Sequence, residues 1–500
     1  MMPALELLVP IATVLLQAAP IVAPPGTRNG GSPTRVPEAA LPITPGVPDA
    51  PGALPPSAST SSGKIVTLEE AQRNAVQNQP QIHQARAATA ASRGRVWEAR
   101  SGYLPQVTAN ALYERTTLNT SGTSSTASTT TGGAGTTGGG TGTTGGGTAP
   151  ATSTPSHPWA FHNVFDLGIT GSQLIYDFGQ TSEKWRAANR ATESLEATEK
   201  ATVHTVLLNV RTAFFTARAD KALVKVAEET LANELKHLAQ VVGQVGVGVS
   251  PEIDLATERT TVANDKLTLI QAQNLYDVAR VQLNVAMGVS SNTEYDVADE
   301  GLSAIDGEDA STDGLATQAL ANRPELLSLD KERQYNELTV RSLKGGYGPA
   351  LSAIGGMSVG DVTGSGIDTG PVPTAYVGAQ LIWPLFQGGL TSGQVKEAEG
   401  NLGVTEAQLE QERLQVRLDV EQARLGVRTY KVAISTADEA LTNARYQLKL
   451  AEKRYAAGVG NIIELGDAQV AVTSAAAQRV QADFNLATAR AQLLAALGRP

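Results

Sequence analysis

Residues 176–288 of this chain align with residues 386–498 at a constant offset of 210. The alignment pairs Thr181 and Ser182 with Thr391 and Ser392, Gly248 with Gly458, Leu255 with Leu465, and Gly288 with Gly498. An earlier block, from Asn78 and Pro80 to Gly102 and Pro105, recurs from Asn322 and Pro324 to Gly346 and Pro349 at an offset of 244. The 34-residue difference must be an insertion between Pro105 and Tyr176, where the low-complexity run of the chain lies. A unit this long is no solenoid repeat, so the fold has to be built from two copies of one large supersecondary module.

The longest part of each module is helical. Residues 179–245 and 389–456 contain no proline and are dense in Ala, Leu, Val, Gln and Glu. At about 1.5 Å per residue each would reach about 100 Å, a length that survives only beside neighbours that bury it. Each run meets a glycine-rich break, Gly246 to Pro251 or Gly458 to Asn461, and then a returning helix, so the pattern predicts antiparallel helical hairpins over 179–287 and 389–497. Gly248 and Gly458 suit positive φ, Ser250 and Pro251 suit an N-cap followed by proline at the first helical position, and Asn461 suits a second N-cap. Ahead of the hairpins, Thr67 and Glu70 form a capping-box pattern that opens a helix running to about Ser101, bent near Pro80.

Between these helices the period changes to two. Val107, Ala109, Ala111 and Tyr113 alternate with Gln106, Thr108, Asn110 and Glu114, and Phe165, Leu167 and Ile169 alternate with Asp166, Gly168 and Thr170. The second copy repeats this, giving four strands at about 104–116, 163–177, 349–360 and 374–386. Eleven of the 22 aromatic residues fall within 103–178 and 347–386, less than a quarter of the chain, as girdles at two bilayer interfaces require. Tyr113, Phe165, Tyr176, Trp383 and Phe386 are the candidate interface residues; strand propensity alone would also enrich aromatics. Beyond the leader no apolar run is long enough for a spanning helix, so a membrane role would use strands.

Met1 to Ala19 hold an apolar core, Leu7 to Leu16, before small residues, which reads as a signal peptide over 1–23 without the usual basic start. Residues 24–64 are proline-rich and expected to be a mobile tail, 120–156 a Ser/Thr/Gly/Ala/Pro surface loop, and 289–313, with eight acidic residues and no Lys or Arg, a solvated connector. The first repeat is thus 65–288 and the second 314–498. A net charge of -10 without basic clusters argues against nucleic acid, and zero cysteines exclude disulfides and thiolate metal sites.

Helix, strand hairpin, long helix, turn and returning helix, all twice over, resemble the outer membrane efflux protein family, the TolC-like channels. The residues that carry the likeness are Thr67 to Ala71 with Asn78 to Pro80, Gly102 to Pro105, Leu385 to Gly389, and Arg454 to Gly458 leading to Ile463 to Gln469. The resemblance covers about 65–498 without 120–156. It implies a fold that is mainly α with a small β part: a homotrimer whose twelve-stranded outer-membrane β-barrel continues into a twelve-helix periplasmic α-barrel. It implies an exit duct of a tripartite efflux or type I secretion system, extending from the outer membrane into the periplasm. The expected partners are outer-membrane lipid, a periplasmic adaptor (membrane fusion) protein and an inner-membrane pump of RND, ABC or MFS type.

In that family the hairpin turns narrow the pore and meet the adaptor. The matching gate positions here are Asp254, Tyr455, Glu464 and Asp467, and the adaptor-facing turns would be Gly246, Gly248, Ser250, Gly458, Gly460 and Asn461. Asp254 and Glu464 also suit a helix first turn with no further role. Where some members carry a latching arginine, this chain has Gly460. The five histidines are scattered, and no nucleophile, phosphate-loop or dinucleotide pattern occurs, so neither catalysis nor a cofactor or metal is expected. The rival reading is a secreted or periplasmic coiled-coil scaffold, which would need a strict a/d seam; Val206, Val210, Phe214 and Ala217 instead mix with small residues over a wide face.

Overall fold

The computed structural model describes residues 64–117, 161–290, 295–308, 311–364, 367–368 and 370–499. The leader over 1–23, the tail up to residue 63, the loop over 120–156 and His157 lie outside them.

The first repeat runs β1 (Lys64–Val66), α1 (Leu68–Asn78), α2 (Pro80–Ser101), β2 (Gln106–Thr117), β3 (Phe161–Tyr176), α3 (Gln180–Gly246) and α4 (Glu252–Met287). After β4 (Tyr295–Val297) the second follows as α5 (Thr312–Asn322), α6 (Pro324–Gly345), β5 (Ala350–Gly364), β6 (Ile367–Asp368), β7 (Val372–Ile382), α7 (Leu390–Ala456) and α8 (Ile462–Ala496). Both long helices are 67 residues, and their ends correspond at the offset of 210.

The two offsets meet in space. Gly288 ends α4 at φ 70°, and a Cβ there would lie 2.8 Å from the Asn78 carbonyl carbon, at the corner between α1 and α2. Gly498 repeats the contact at φ 68°, with the Asn322 carbonyl carbon 3.0 Å away. The glycine and the Asn-x-Pro corner recur together because each makes room for the other.

Thr67 caps α1 by accepting from the Glu70 amide at 3.2 Å. The Glu70 carboxylate does not complete the capping box; it pairs with Lys64 of β1. Pro80 begins α2, where its missing N–H removes no helical bond. The strand expected to reach 386 ends at Ile382.

β2, β3, β5 and β7 form one antiparallel sheet in that order, with β6 a short return off β5. Register puts Tyr113 opposite Phe165, aligns Ala111, Leu167 and Val359, and aligns Ala109, Ile169, Met357 and Ala375 on one face. The other face carries Asn110, Gly168, Ser358 and Thr374, and the Asn110 amide donates to Asp166 at 3.1 Å. Phe165, Leu167, Ile169 and Met357 are exposed, so the apolar face of the sheet is an outside.

Below the sheet the helices stand side by side. α3 packs on α2 and α6, and α6 on α7; further down, α4 packs on α3, α3 on α8 and α8 on α7. The core lies where these arrays join: Val206, Val210, Phe214 and Phe215 of α3 meet Leu283 and Met287 of α4 and Ala487 and Ala491 of α8. Each fully buried large apolar side chain there contributes about 2–3 kcal/mol. A second cluster, Val416, Val420, Leu493 and Leu497 with Leu315 and Leu326, holds the other repeat.

The acidic connector is not a solvated linker. β4 pairs in parallel with β1, burying Tyr295 and Val297 in the main core. Asp296 accepts from Lys221 (2.7 Å), Asp299 from Arg218 (2.8 Å), and buried Glu308 pairs with Lys431 (2.6 Å) and Arg490 (3.1 Å). The counter-charges sit on α3, α7 and α8, far away in sequence, which is why a run of acids alone reads as solvated.

Candidate functional site at the hairpin tips

Each hairpin ends in a tight turn. Gly248 (φ 75°) and Gly458 (φ 72°) take the left-handed conformation, and Val249 and Val459 donate back to the carbonyls of Gln244 and Arg454 at 2.9 and 3.0 Å. The restarts differ. Asn461 caps α8 by accepting from the amides of Ile463 and Glu464, whereas Pro251 is the N-cap of α4 and Ser250 is not. The Ser250 hydroxyl turns inward and donates to Gln244 Oε1 at 3.1 Å.

That oxygen is the hub of the tip. Tyr455 Oη also donates to it, at 2.9 Å, joining the end of α7 to the end of α3. The Tyr455 ring is 8% exposed and packs in a small cluster with Val241, Leu448, Ala451, Leu465 and Ala468. Burial, with the nearby carboxylates of Asp254 and Glu258, pushes its phenol up. Glu464 instead lies 3.3 Å from Arg454, both exposed, and Asp467 points from α8 into a groove shared with Thr257 of α4. The structure therefore brings Asp254 near Tyr455 but does not gather Glu464 and Asp467 around it within one chain.

Gly460 has a steric reason. A Cβ there would lie 2.9 Å from the Tyr455 amide nitrogen and 3.1 Å from the Arg454 carbonyl carbon. Any side chain at this position would push the turn away from the end of α7.

Sequence reasoning missed Gln244, and it missed a buried acidic group at the α3–α4 contact. Glu234 is pushed up to about 7 by burial and by Glu258, and burial also raises Glu258 and Asp265. Comparing the two repeats position by position would have marked all of these, because Gln244, Glu234, Glu258 and Asp265 correspond to Arg454, Ala444, Ala468 and Ala475.

The candidate interface aromatics sit at the two ends of the sheet. Tyr113 and Phe165 are directly opposed at the far end. Tyr176, Trp383 and Phe386 are exposed at the helix-proximal end, with Trp383 Nε1 donating to the Tyr347 carbonyl at 3.1 Å.

The family profile described as "Outer membrane efflux protein" matches residues 72–289 and 315–499. The chain belongs to the outer membrane efflux protein family. Among curated relatives it is similar to the solvent efflux pump outer membrane protein SrpC of Pseudomonas putida, 26% identical over 356 residues, 70% of this chain and 74% of that protein. It is 24% identical over 359 residues to the outer membrane protein TolC of Escherichia coli K12, covering 67% of this chain and 70% of TolC. Among solved structures the fold matches CusC with a TM-score of 0.71 at 15% identity, covering 88% of this chain and 93% of that one. It also matches VceC of Vibrio cholerae with a TM-score of 0.69 at 15% identity, covering 86% and 96%. As an outer membrane efflux protein the chain is a duct component of the outer membrane and comes from a family of channels, not of enzymes.

Proposed function

We propose that three copies of this chain close into a passive exit duct, a barrel of three times four strands over a helical tunnel, that carries efflux cargo from an inner-membrane pump through the periplasm to the exterior. One observation carries this reading: among the described residues every layer of the protomer ends in unpaired edges, with first-repeat elements on one side and second-repeat elements on the other. The sheet stops at β2 and β7, the upper helices at α2 and α7, and the lower ones at α4 and α7. Open strand edges have no hydrogen-bond partner in lipid, so the sheet can enter a membrane only by closing. A contact between unlike edges is head-to-tail and generates a ring. Exposed apolar stripes run along both helical edges: Leu275, Val278, Val281 and Val285 on α4, and Val404, Leu418, Leu425 and Val432, spaced by multiples of seven residues, on α7.

The sheet also has the right height. From Phe165 to Tyr176 the strand rises about 36 Å, which at about 40° of tilt spans about 28 Å of bilayer. That is the distance two aromatic girdles must keep. At the other end Asp254, Tyr455, Glu464 and Asp467 would form the periplasmic gate. The turns with Gly246, Gly248, Ser250, Gly458, Gly460 and Asn461 would face the adaptor.

The chain has no cysteine, so Val107→Cys on β2 combined with Leu381→Cys on β7 can report the seam. Oxidation should link chains into a closed, heat-modifiable trimer in the outer-membrane fraction. A soluble, elongated monomer that never crosslinks would refute the reading.

A further inference from the structure

The helical hairpin of the first repeat contains an acidic layer that its twin lacks. Glu234 of α3 and Glu258 of α4 face each other closely enough to share a hydrogen bond, yet they are only 4% and 6% exposed. Asp265, two turns further along α4, and Asp467 of α8 line the same groove, whose volume is about 540 Å³. At the equivalent places the second repeat has Ala444, Ala468 and Ala475, all buried. The hairpin fold therefore has no need of carboxylates at this level, and burying them is costly without a counter-charge.

Two oxygens here lack partners. Glu258 Oε1 and Gln469 Oε1 are both buried without a hydrogen bond, and Gln469 is 5% exposed on the groove wall. No lysine or arginine lines the groove among the described residues. The nearest basic group on α3, His237, faces Glu452 of α7 at 3.9 Å. The missing group is therefore a positively charged donor. A bare metal ion does not fit, because among the described residues no three acidic or imidazole side chains converge as ligands. The rest of the wall mixes hydroxyl-bearing side chains, mostly threonines, with an apolar strip of Ile462, Ile463 and Val470.

We propose that this groove binds an organic ammonium compound, its –NH₃⁺ head donating to Glu234, Glu258 and Gln469 Oε1 and its apolar body lying along Ile462, Ile463 and Val470. A primary ammonium has three donors, one for each acceptor. The volume is that of a small-molecule pocket. The groove lies within one protomer, so the proposal does not depend on ring closure or on transport.

Hexylammonium is the probe, with neutral hexanol and MgCl₂ as controls, titrated calorimetrically into the purified full-length protein. Saturable binding of hexylammonium at pH 8 but not of hexanol is expected. Glu234 sits at about 7, so below that pH a proton competes with the ammonium, and affinity should fall about tenfold for each further unit. Near pH 7 the binding heat should vary with the ionisation enthalpy of the buffer, because a proton is released. Glu234→Gln combined with Glu258→Gln should weaken binding at least about tenfold. The alanines of the second repeat show that the fold tolerates uncharged residues at this level. No saturation at millimolar hexylammonium, equal binding of hexanol, equal binding by the double variant, or displacement by equimolar Mg²⁺ would each overturn the proposal.

Discussion

Replacing Tyr455 by phenylalanine removes a single oxygen from the hairpin tip and leaves the buried ring in place. The lost bond is the 2.9 Å contact from Tyr455 Oη to Gln244 Oε1, which ties α7 to α3. Gln244 Oε1 keeps the Ser250 hydroxyl at 3.1 Å, so no acceptor is orphaned and the cost stays near about 1 kcal/mol per protomer. If the three tips of a closed duct part together, the terms add to about 3 kcal/mol, a shift of about a hundredfold in the open-to-closed ratio. Single-channel recording in planar bilayers measures this as open probability. Tyr446→Phe, at an exposed tyrosine on the same helix, is the control. Gln244→Leu should have at least as large an effect, because it also deletes the Ser250 bond and leaves the Tyr455 hydroxyl unpaired. Adding Tyr455→Phe to Gln244→Leu should cost nothing further, because the bond it removes is already gone. An unchanged open probability in Tyr455→Phe, with normal assembly, would show that this contact does not hold the tips closed.

Three further outcomes follow from the fold. Gly460→Ala should loosen the second turn by about 1–3 kcal/mol, since its Cβ would meet the Tyr455 amide at 2.9 Å, and limited proteolysis should then cut there first. Gly288→Ala and Gly498→Ala should each lower the unfolding temperature by similar amounts, because each glycine combines positive φ with a backbone contact of 2.8 or 3.0 Å at its own Asn-x-Pro corner. Glu308→Gln should cost about 3 kcal/mol by removing the buried carboxylate that faces Arg490, read as earlier thermal unfolding. Burial by itself would raise the Glu308 carboxyl, but hydrogen bonds from Lys431 and Arg490 outweigh it and hold the group below its usual 4.5. Its stabilisation is therefore present above pH 4.5 and lost as pH falls through the lower folded value, so wild type and variant should converge only in acid.

The architecture was legible because it is carried by patterns that repeat. Period two placed Phe165, Leu167 and Ile169 on one face of β3, and proline-free runs marked α3 and α7. What escaped was set by contacts between distant residues. The acids of the connector read as solvated because Arg218, Lys221, Lys431 and Arg490 lie on other helices. Ser250 read as a cap because a serine before a proline does not reveal that Gln244 offers a better partner six residues earlier. Trp383 fell outside its strand because alternation continues in the sequence after the ladder to β5 has ended at Ile382.

The mismatches between the repeats also decide which contacts can hold the tips. The offset of 210 pairs Gln244 with Arg454, Val245 with Tyr455, Ser250 with Gly460, Asp254 with Glu464 and Thr257 with Asp467. The two hub residues thus occupy equivalent positions and serve different partners: Gln244 gathers Tyr455 and Ser250, while Arg454 faces Glu464. Their contributions differ in kind. Arg454 and Glu464 are 57% and 42% exposed, and an ion pair in water at 3.3 Å contributes at most about 1 kcal/mol and weakens further in salt. The Tyr455 contact is buried with its ring in an apolar cluster, so it keeps both its hydrogen bond and its burial term whatever the ionic strength. A glycine at 460 removes any side chain that could reach across the turn, and Ser250 supplies a hydroxyl to the other tip in its place. In the proposed duct the hold on the tips would therefore run inside each protomer, from α7 to α3 through Gln244, and raising the salt concentration should leave it largely intact.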